Sequence, residues 1–329
     1  MLINYKNISK TVVSLSLVLI LAACGKSSAE ENQIVISTNG DEEAIEAMKA
    51  ALDSEGYEGK YVVQSLGTSE LGGKLIAEGD QIDADIVTMS SYFIESAQEK
   101  NSMFEDLTFE SNSLEEFPSY YTPILANTGS LFANTEVLKQ KGLDMPTSIK
   151  DLTKPEYEGL VSIPNILDSS TGWLLVQAII NEYGEEEGQT ILHDLIANVG
   201  PHLESSGSGP IKKVQAGEVA VGFGLRHQAV EAKVQGAPID FIDPTEGNFS
   251  LTESIAVVDK GEETNTLAME MAEVIVTDAR SDLITYYPVA LYEGETVADV
   301  NKPAHSAVYS EPLTVELLEA HQDYFKSAK

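Results

Sequence analysis

Alternating strand and helix signals, interrupted by two long extended stretches, predict an α/β protein of two lobes joined at a hinge. Short β-branched runs are followed by amphipathic stretches from Ile34 to Lys100, and the alternation resumes from Gly159 to Ile242. Such alternation marks a mostly parallel sheet with helices on its faces. The extended stretches lie near 122–134 and 245–258, so the chain passes between the two α/β units twice. About 300 residues beyond the N-terminal segment suit two compact cores better than one. In open α/β sheets ligands sit beyond the carboxyl ends of strands, and a hinged two-lobed body turns that region into a cleft.

Each element has its own signal. A strand at 34–37 (IVIS) precedes a helix over 41–52, where Ala44, Ile45, Met48 and Leu52 recur at helical spacing behind a first turn of acids. A second strand falls at 59–64 (GKYVVQ), with a helix capped by Thr68-Ser69-Glu70 following it. A third strand, 84–89 (ADIVTM), leads through Ser90-Ser91 into a helix over 92–100. The stretch 120–134 is mostly extended, and 149–152 is a helix opened by Pro146-Thr147-Ser148. Then come a strand at 159–164, an apolar helix over 172–183 and a second helix over 186–198. A helix over 209–216, a strand at 219–224, a helix over 226–235 and a strand at 238–242 follow. The chain returns in extended form over 252–258, and helices over 264–277 and 313–326 close the body.

The N-terminus carries a separate message. Lys6 and Lys10 precede an apolar run at 11–20, which ends in Leu21-Ala22-Ala23-Cys24. A positive start, a short apolar core and small residues form an export signal, and the run is too short for the ~20 residues of a spanning helix. Residues 26–32 (KSSAEEN) read as a flexible tether. Beyond residue 23 the chain has 18 basic and 53 acidic residues, a net charge of −35, which argues against nucleic acid and against anionic lipid headgroups. Cys24 is the only cysteine, so disulfides, thiolate metal sites and thiol nucleophiles are excluded from the body.

Two resemblances follow from these residues. Leu21 to Cys24 resembles the lipobox of bacterial lipoproteins, which implies removal of 1–23, lipid on Cys24 and an extracytoplasmic, membrane-anchored protein. The body resembles the type II extracellular solute-binding proteins of ABC importers, in the branch of the ferric-iron binders and their phosphonate- and sugar-phosphate-binding relatives. The matching segments are Gly40 after the first strand, 66–70 (LGTSE), 84–87 (ADIV), 126–128 (ANT), 168–172 (DSSTG), 216–222 (AGEVAVG) and 286–289 (YYPV). The resemblance implies the type II periplasmic-binding-protein fold, with one lobe of 33–126 plus about 252–290 and another of 127–251 plus about 291–329. It also implies a permease partner, a monomer, no cofactor and no chemistry beyond binding. Iron binders of this family carry adjacent tyrosines after the second-lobe Val-Gly strand, where this chain has Gly222-Phe223-Gly224-Leu225-Arg226-His227, so iron becomes the alternative ligand.

In place of metal ligands stand hydroxyls and glycines at element junctions. Ser37-Thr38 and Ser90-Ser91 follow strands, whereas Thr68-Ser69, Ser169-Ser170-Thr171 and Ser205-Ser206-Gly207-Ser208 precede helices. Helix N-termini present free N–H groups and a positive dipole end, hydroxyls add donors, and glycine admits an anion to the backbone. Each of these loops, taken singly, also fits an ordinary helix cap. Arg226 is placed to pair with an anionic oxygen or to sit as a helix charge, and Glu253 and Asp168 suit a cationic end of the ligand. His227 and Trp173 read as structural, and Tyr286-Tyr287 as packing. The expected ligand is a small anion or zwitterion, a phosphonate or phosphate ester, with 2-aminoethylphosphonate ahead of hexose phosphate. An esterase or phosphatase is a weaker alternative, since 206–209 lacks the first glycine of a nucleophile elbow and the five histidines show no metal-ligand spacing. A purely structural surface lipoprotein is the third.

Overall fold

The computed structural model describes residues 33–329 (for 262–265, the backbone). The export signal at 1–23, Cys24 and the tether to residue 32 lie outside the described residues. The strands are β1 (Ile34–Thr38), β2 (Tyr61–Ser65), β3 (Ile86–Ser90), β4 (Thr122–Asn134), β5 (Val161–Pro164), β6 (Leu203–Glu204), β7 (Val221–Leu225), β8 (Ile239–Ile242) and β9 (Ser250–Val257). The helices are α1 (Glu42–Ser54), α2 (Thr68–Glu78), α3 (Ser91–Asn101), α4 (Thr135–Lys141), α5 (Ser170–Val199), α6 (Gly209–Gln215), α7 (Arg226–Val234), α8 (Glu262–Thr277), α9 (Arg280–Tyr286) and α10 (Val315–Ser327).

The strands lie in the order β2-β1-β3-β9-β4-β7-β5-β6, with β8 also pairing β4. Parallel pairs β2-β1-β3 form one end and parallel pairs β7-β5-β6 the other. Between them run β9 and β4, antiparallel to each other and to their outer neighbours. β4 serves both ends: Thr122 to Thr128 pairs with β9, and Gly129 to Ala133 with β7.

Helices cover both faces because the strands are apolar on both. Against β1 and β3, α1, α8 and α9 bury Met48, Leu52, Met271, Ile275 and Leu283. On another face Leu71, Leu75, Phe93 and Ala97 of α2 and α3 join a core that continues into Trp173, Leu174 and Ile179 of α5 and Phe325 of α10. Phe132, Ile211, Val214 and Ala229 form a third cluster under α6 and α7. The two helices expected over 172–183 and 186–198 are both present as the two halves of α5, parted at Gly184, whose φ of 70° and ψ of 176° are not helical. Lys150–Thr153 is a 3-10 turn rather than an α-helix. The short helices α4 and α9 have no counterpart in the sequence reading. α4 is capped by Asn134, the last residue of β4, whose side chain accepts from the N–H groups of Glu136 and Val137. No helix of the described residues is long and apolar enough to cross a membrane.

Candidate functional site

The strands of both ends point their carboxyl termini at one cavity of about 290 Å³. Thr38-Asn39-Gly40-Asp41 leaves β1, Ser65 to Thr68 leaves β2, and Thr88 lies on β3. Asp168 to Thr171 follows β5, Ser205-Ser206-Gly207 follows β6, and Leu225 ends β7. Leu125 and Asn127 of β4 and Glu253 of β9 close it from the strands that join the two ends.

Three helix N-termini meet here: Asp41 caps α1, Gly67 caps α2 and Ser169 caps α5. Only Ser169 uses its own side chain, accepting from Thr171 N–H at 3.3 Å. Asp41 and Gly67 make no side-chain cap bond to α1 and α2, the Ala44 N–H of α1 meets the Tyr287 hydroxyl, and the starts of both helices line the cavity. Gly207 packs against α5 more closely than a side chain allows: a Cβ there would stand 2.2 Å from Thr171 Oγ1.

Glu253 is the electrostatic centre of the site. It is buried and accepts from Ser90 Oγ at 2.8 Å. The partners of the Asn39 amide assign its orientation: with the nitrogen toward Glu253 Oε2 (3.1 Å) and the Thr88 carbonyl (3.3 Å), its oxygen accepts from Thr68 Oγ1 at 3.0 Å. Burial pushes the Glu253 carboxyl up to about 7, with Asp41 adding to it and the Ser90 and Asn39 hydrogen bonds only partly opposing. Asp41 is also raised, chiefly by burial and then by Glu43, against hydrogen bonding from Ser208 and the charge of Lys212. The lining contains Asp41, Asp168 and Glu253 and no Lys, Arg or His. Among the described residues no three of His, Cys, Asp and Glu are grouped as metal ligands.

Of the expected residues, Thr38, Thr68, Ser169, Ser170, Thr171, Ser205, Ser206, Gly207 and Glu253 line this cavity, as does Asp168. Thr38 Oγ1 accepts from Gly40 N–H at 2.9 Å and from Thr88 Oγ1 at 2.7 Å, which fixes the turn out of β1. Thr68 binds Asn39 rather than capping α2, whose cap is Gly67. Others serve the site from outside. Ser90 holds Glu253; Ser69 Oγ donates to the Leu167 carbonyl at 2.7 Å; Ser208 is buried against Asp41. The last two contacts join the loops of the two parallel ends. Ser37 is buried and turned toward Gln64 at 3.4 Å. Ser91 donates to the Thr252 carbonyl at 3.2 Å and pairs with Ser254, away from the cavity.

Arg226 is not brought to the cavity. Its guanidinium forks onto Asp243 at 2.7 and 3.2 Å, donates to the Val300 and Lys302 carbonyls and lies over the Phe241 ring. Burial alone would raise Asp243, and the Arg226 and Ala304 hydrogen bonds hold it below the usual carboxylate range instead. His227 is partly buried with its ring 4.6 Å from that of Tyr287, and the desolvation of its ring lowers its pKa to about 3. Trp173 is buried and donates to His321 Nδ1 at 2.8 Å. Tyr286 is exposed, whereas Tyr287 packs inward and also lines the cavity.

Sequence reasoning missed Asn39, Asp41, Asn127 and Tyr287. Asn39 and Asp41 sit in the turn that already contained Thr38. Asn127 follows from the two-residue period of β4, since Leu125 lies directly across from Glu253 in the register. The side-chain oxygen of Asn127 is buried without a hydrogen-bond partner.

Residues 82–308 match the family of bacterial extracellular solute-binding proteins. The match spans more than half of the chain, and the protein belongs to that family. A Haemophilus influenzae protein described as uncharacterized is 32% identical over 115 residues, 35% of this chain and 33% of that protein, so the chain spans about a third of that relative. Among solved structures, the periplasmic binding protein AfuA from Actinobacillus pleuropneumoniae, with exogenous fructose-6-phosphate bound, is 20% identical at a TM-score of 0.67, covering 90% of this chain and 93% of that one. Iron-bound HitA from Pseudomonas aeruginosa is 17% identical at a TM-score of 0.68, covering 90% and 98%. At these identities the likeness is one of fold, and that fold is the type II periplasmic-binding-protein fold.

Proposed function

We propose that this protein is the lipid-anchored substrate-binding component of an ABC importer, and that it carries a small phosphonate or phosphate ester, 2-aminoethylphosphonate foremost, to a membrane permease. The observation that carries this reading is the pairing of opposite functions in one cavity. Ser169, Thr171 and Ser206, with the uncapped starts of α1 and α2, supply donors for an anion without any cationic side chain. Glu253, buried and without a cationic partner, supplies an acceptor for an ammonium. Asn127 adds an acceptor that the protein leaves unused. A zwitterion uses both sets, and a sugar phosphate uses the first with its hydroxyls on the second. The protein performs no chemistry. The ligand bridges residues 33–126 and 252–290 on one side with 127–251 and 291–329 on the other, and shifts an open–closed equilibrium toward the closed form that the permease reads. Lipid on Cys24 keeps the monomer at the outer membrane face, while its acidic surface stays free of nucleic acid and headgroups.

Ferric iron is the second reading, favoured by the fold it shares with iron-bound HitA. Its weakness is the donor set, because Tyr287 is the single tyrosine of the lining and burial drives its hydroxyl far above the range where it ionises easily. A thermal-shift screen against 2-aminoethylphosphonate, phosphate, glucose 6-phosphate, ferric citrate, thiamine and a polyamine separates these. Ligand at 100-fold over Kd adds about 2.7 kcal/mol of stability. A shift with the phosphonate or a phosphate ester alone is expected. A shift with iron or the polyamine alone overturns the proposed ligand class.

A further inference from the structure

A larger groove of about 550 Å³ lies on the reverse face of the strands that line the cleft. Successive residues of a strand point to opposite faces. On β4, Leu125 and Asn127 line the cleft cavity and Ala126 between them lines the groove. On β9, Glu253 lines the cleft and its neighbour Thr252 lines the groove. The groove wall comes from α3, from the loop around Phe117 and from the segment around Tyr309, so it draws on distant parts of the chain.

Its chemistry is distinctive. Phe117 and Tyr121 pack edge to face with ring centroids 5.6 Å apart, and Tyr92 and Tyr309 add two further rings. Glu95 and Glu115 stand exposed at the rim, and the lining has no Lys, Arg or His. Two groups here are unfinished. The hydroxyls of Tyr92 and Tyr309 are buried without a hydrogen-bond partner in the protein, although Tyr92 lies near Ser90. A buried hydroxyl left unpaired is costly, and aromatic faces beside carboxylates attract a cation with an apolar body.

We propose that this groove is a second ligand site, for a small organic cation with an apolar body such as an arylalkylammonium, held by the aromatic rings and Tyr92 and Tyr309 with its charge toward Glu95 and Glu115. The site abuts the cleft through α3: Ser90 binds Glu253, and Tyr92, two residues on, lines the groove and meets Trp173 edge to face at 5.0 Å. Trp173 is the only tryptophan of the chain and therefore reports occupancy.

The test titrates the protein with 2-phenylethylammonium, 2-phenylethanol and phenylacetate, followed by calorimetry and by Trp173 fluorescence. The ammonium saturates, the alcohol binds at least about tenfold more weakly, and the acid does not bind. The double variant Glu95→Gln and Glu115→Gln removes the preference for the ammonium. Ala290→Phe fills the groove and abolishes binding. Absence of a saturable response, equal binding of the three probes, or retention of binding in Ala290→Phe overturns the proposal. None of these outcomes depends on which solute the cleft carries.

Discussion

At the scale of single residues the argument turns on Glu253, a carboxylate that burial holds near pKa 7 from an ordinary 4.5. Its folded value is raised, so the empty protein bears no penalty below about pH 4.5 and the whole penalty above about pH 7. The scale of that penalty is on the order of 3 kcal/mol. Glu253→Gln should therefore raise the melting temperature of the empty protein at pH 8 and leave it nearly unchanged at pH 4. The same substitution should weaken a ligand that bears an ammonium, and the wild-type affinity for that ligand should rise from pH 6 to pH 8 as the carboxylate ionises. Calorimetry at the two pH values reads both effects. Gly207→Ala should cost at least about tenfold in affinity for an anionic ligand, because its methyl group collides with Thr171 and pushes the loop away from α5. Ser206→Ala removes only a donor and should cost less. A residue's place on the cavity was legible where it coincided with an element end, as at Thr171 and Ser206. The sequence misled at Arg226, where charge and position suggested the ligand; the partner that claims it, Asp243, comes from another loop and is visible only in the fold.

Among the elements, the two helical halves of α5 on either side of Gly184, the parallel strands and the two joining stretches were legible because periodicity and length mark them. The sequence signals for α4 and α9 were too short, and both are held by tertiary contacts. Arg280, at the start of α9, is buried and forks onto Glu295 at 2.6 and 2.8 Å, with further bonds to the Ile124 and Val289 carbonyls. Arg226 plays the corresponding part at the start of α7 and ties down Val300 and Lys302. Two arginines thus anchor the irregular run between α9 and α10 at separate points. Removing one partner of a buried pair strands the other charge, so Arg226→Met should destabilise the protein by about 3–5 kcal/mol. Denaturant unfolding measures that loss, and ligand affinity in the folded fraction should hardly change. A large loss of affinity without destabilisation would return Arg226 to the binding site.

For the whole molecule, the alternation of elements predicted two α/β units, and the sheet order places β4 and β9 between its two parallel ends. Ser69 on Leu167 and Ser208 on Asp41 join the loops across the cavity mouth. A ligand that bridges the same loops should favour this compact arrangement, so 2-aminoethylphosphonate should lower the radius of gyration in small-angle scattering. An unchanged profile at saturation would argue against hinge closure. The net charge of −33 is dispersed and screened within about 10 Å at 0.1 M salt, so affinity should depend on the cavity and only weakly on ionic strength. The central claim is that one cavity holds both ends of a zwitterion. The most direct measurement compares 2-aminoethylphosphonate with ethylphosphonate and ethanolamine, each lacking one end, by calorimetry at pH 8. The account predicts that the intact molecule binds at least about a hundredfold more tightly than either fragment. Equal binding of ethylphosphonate, or of ethanolamine, would contradict it.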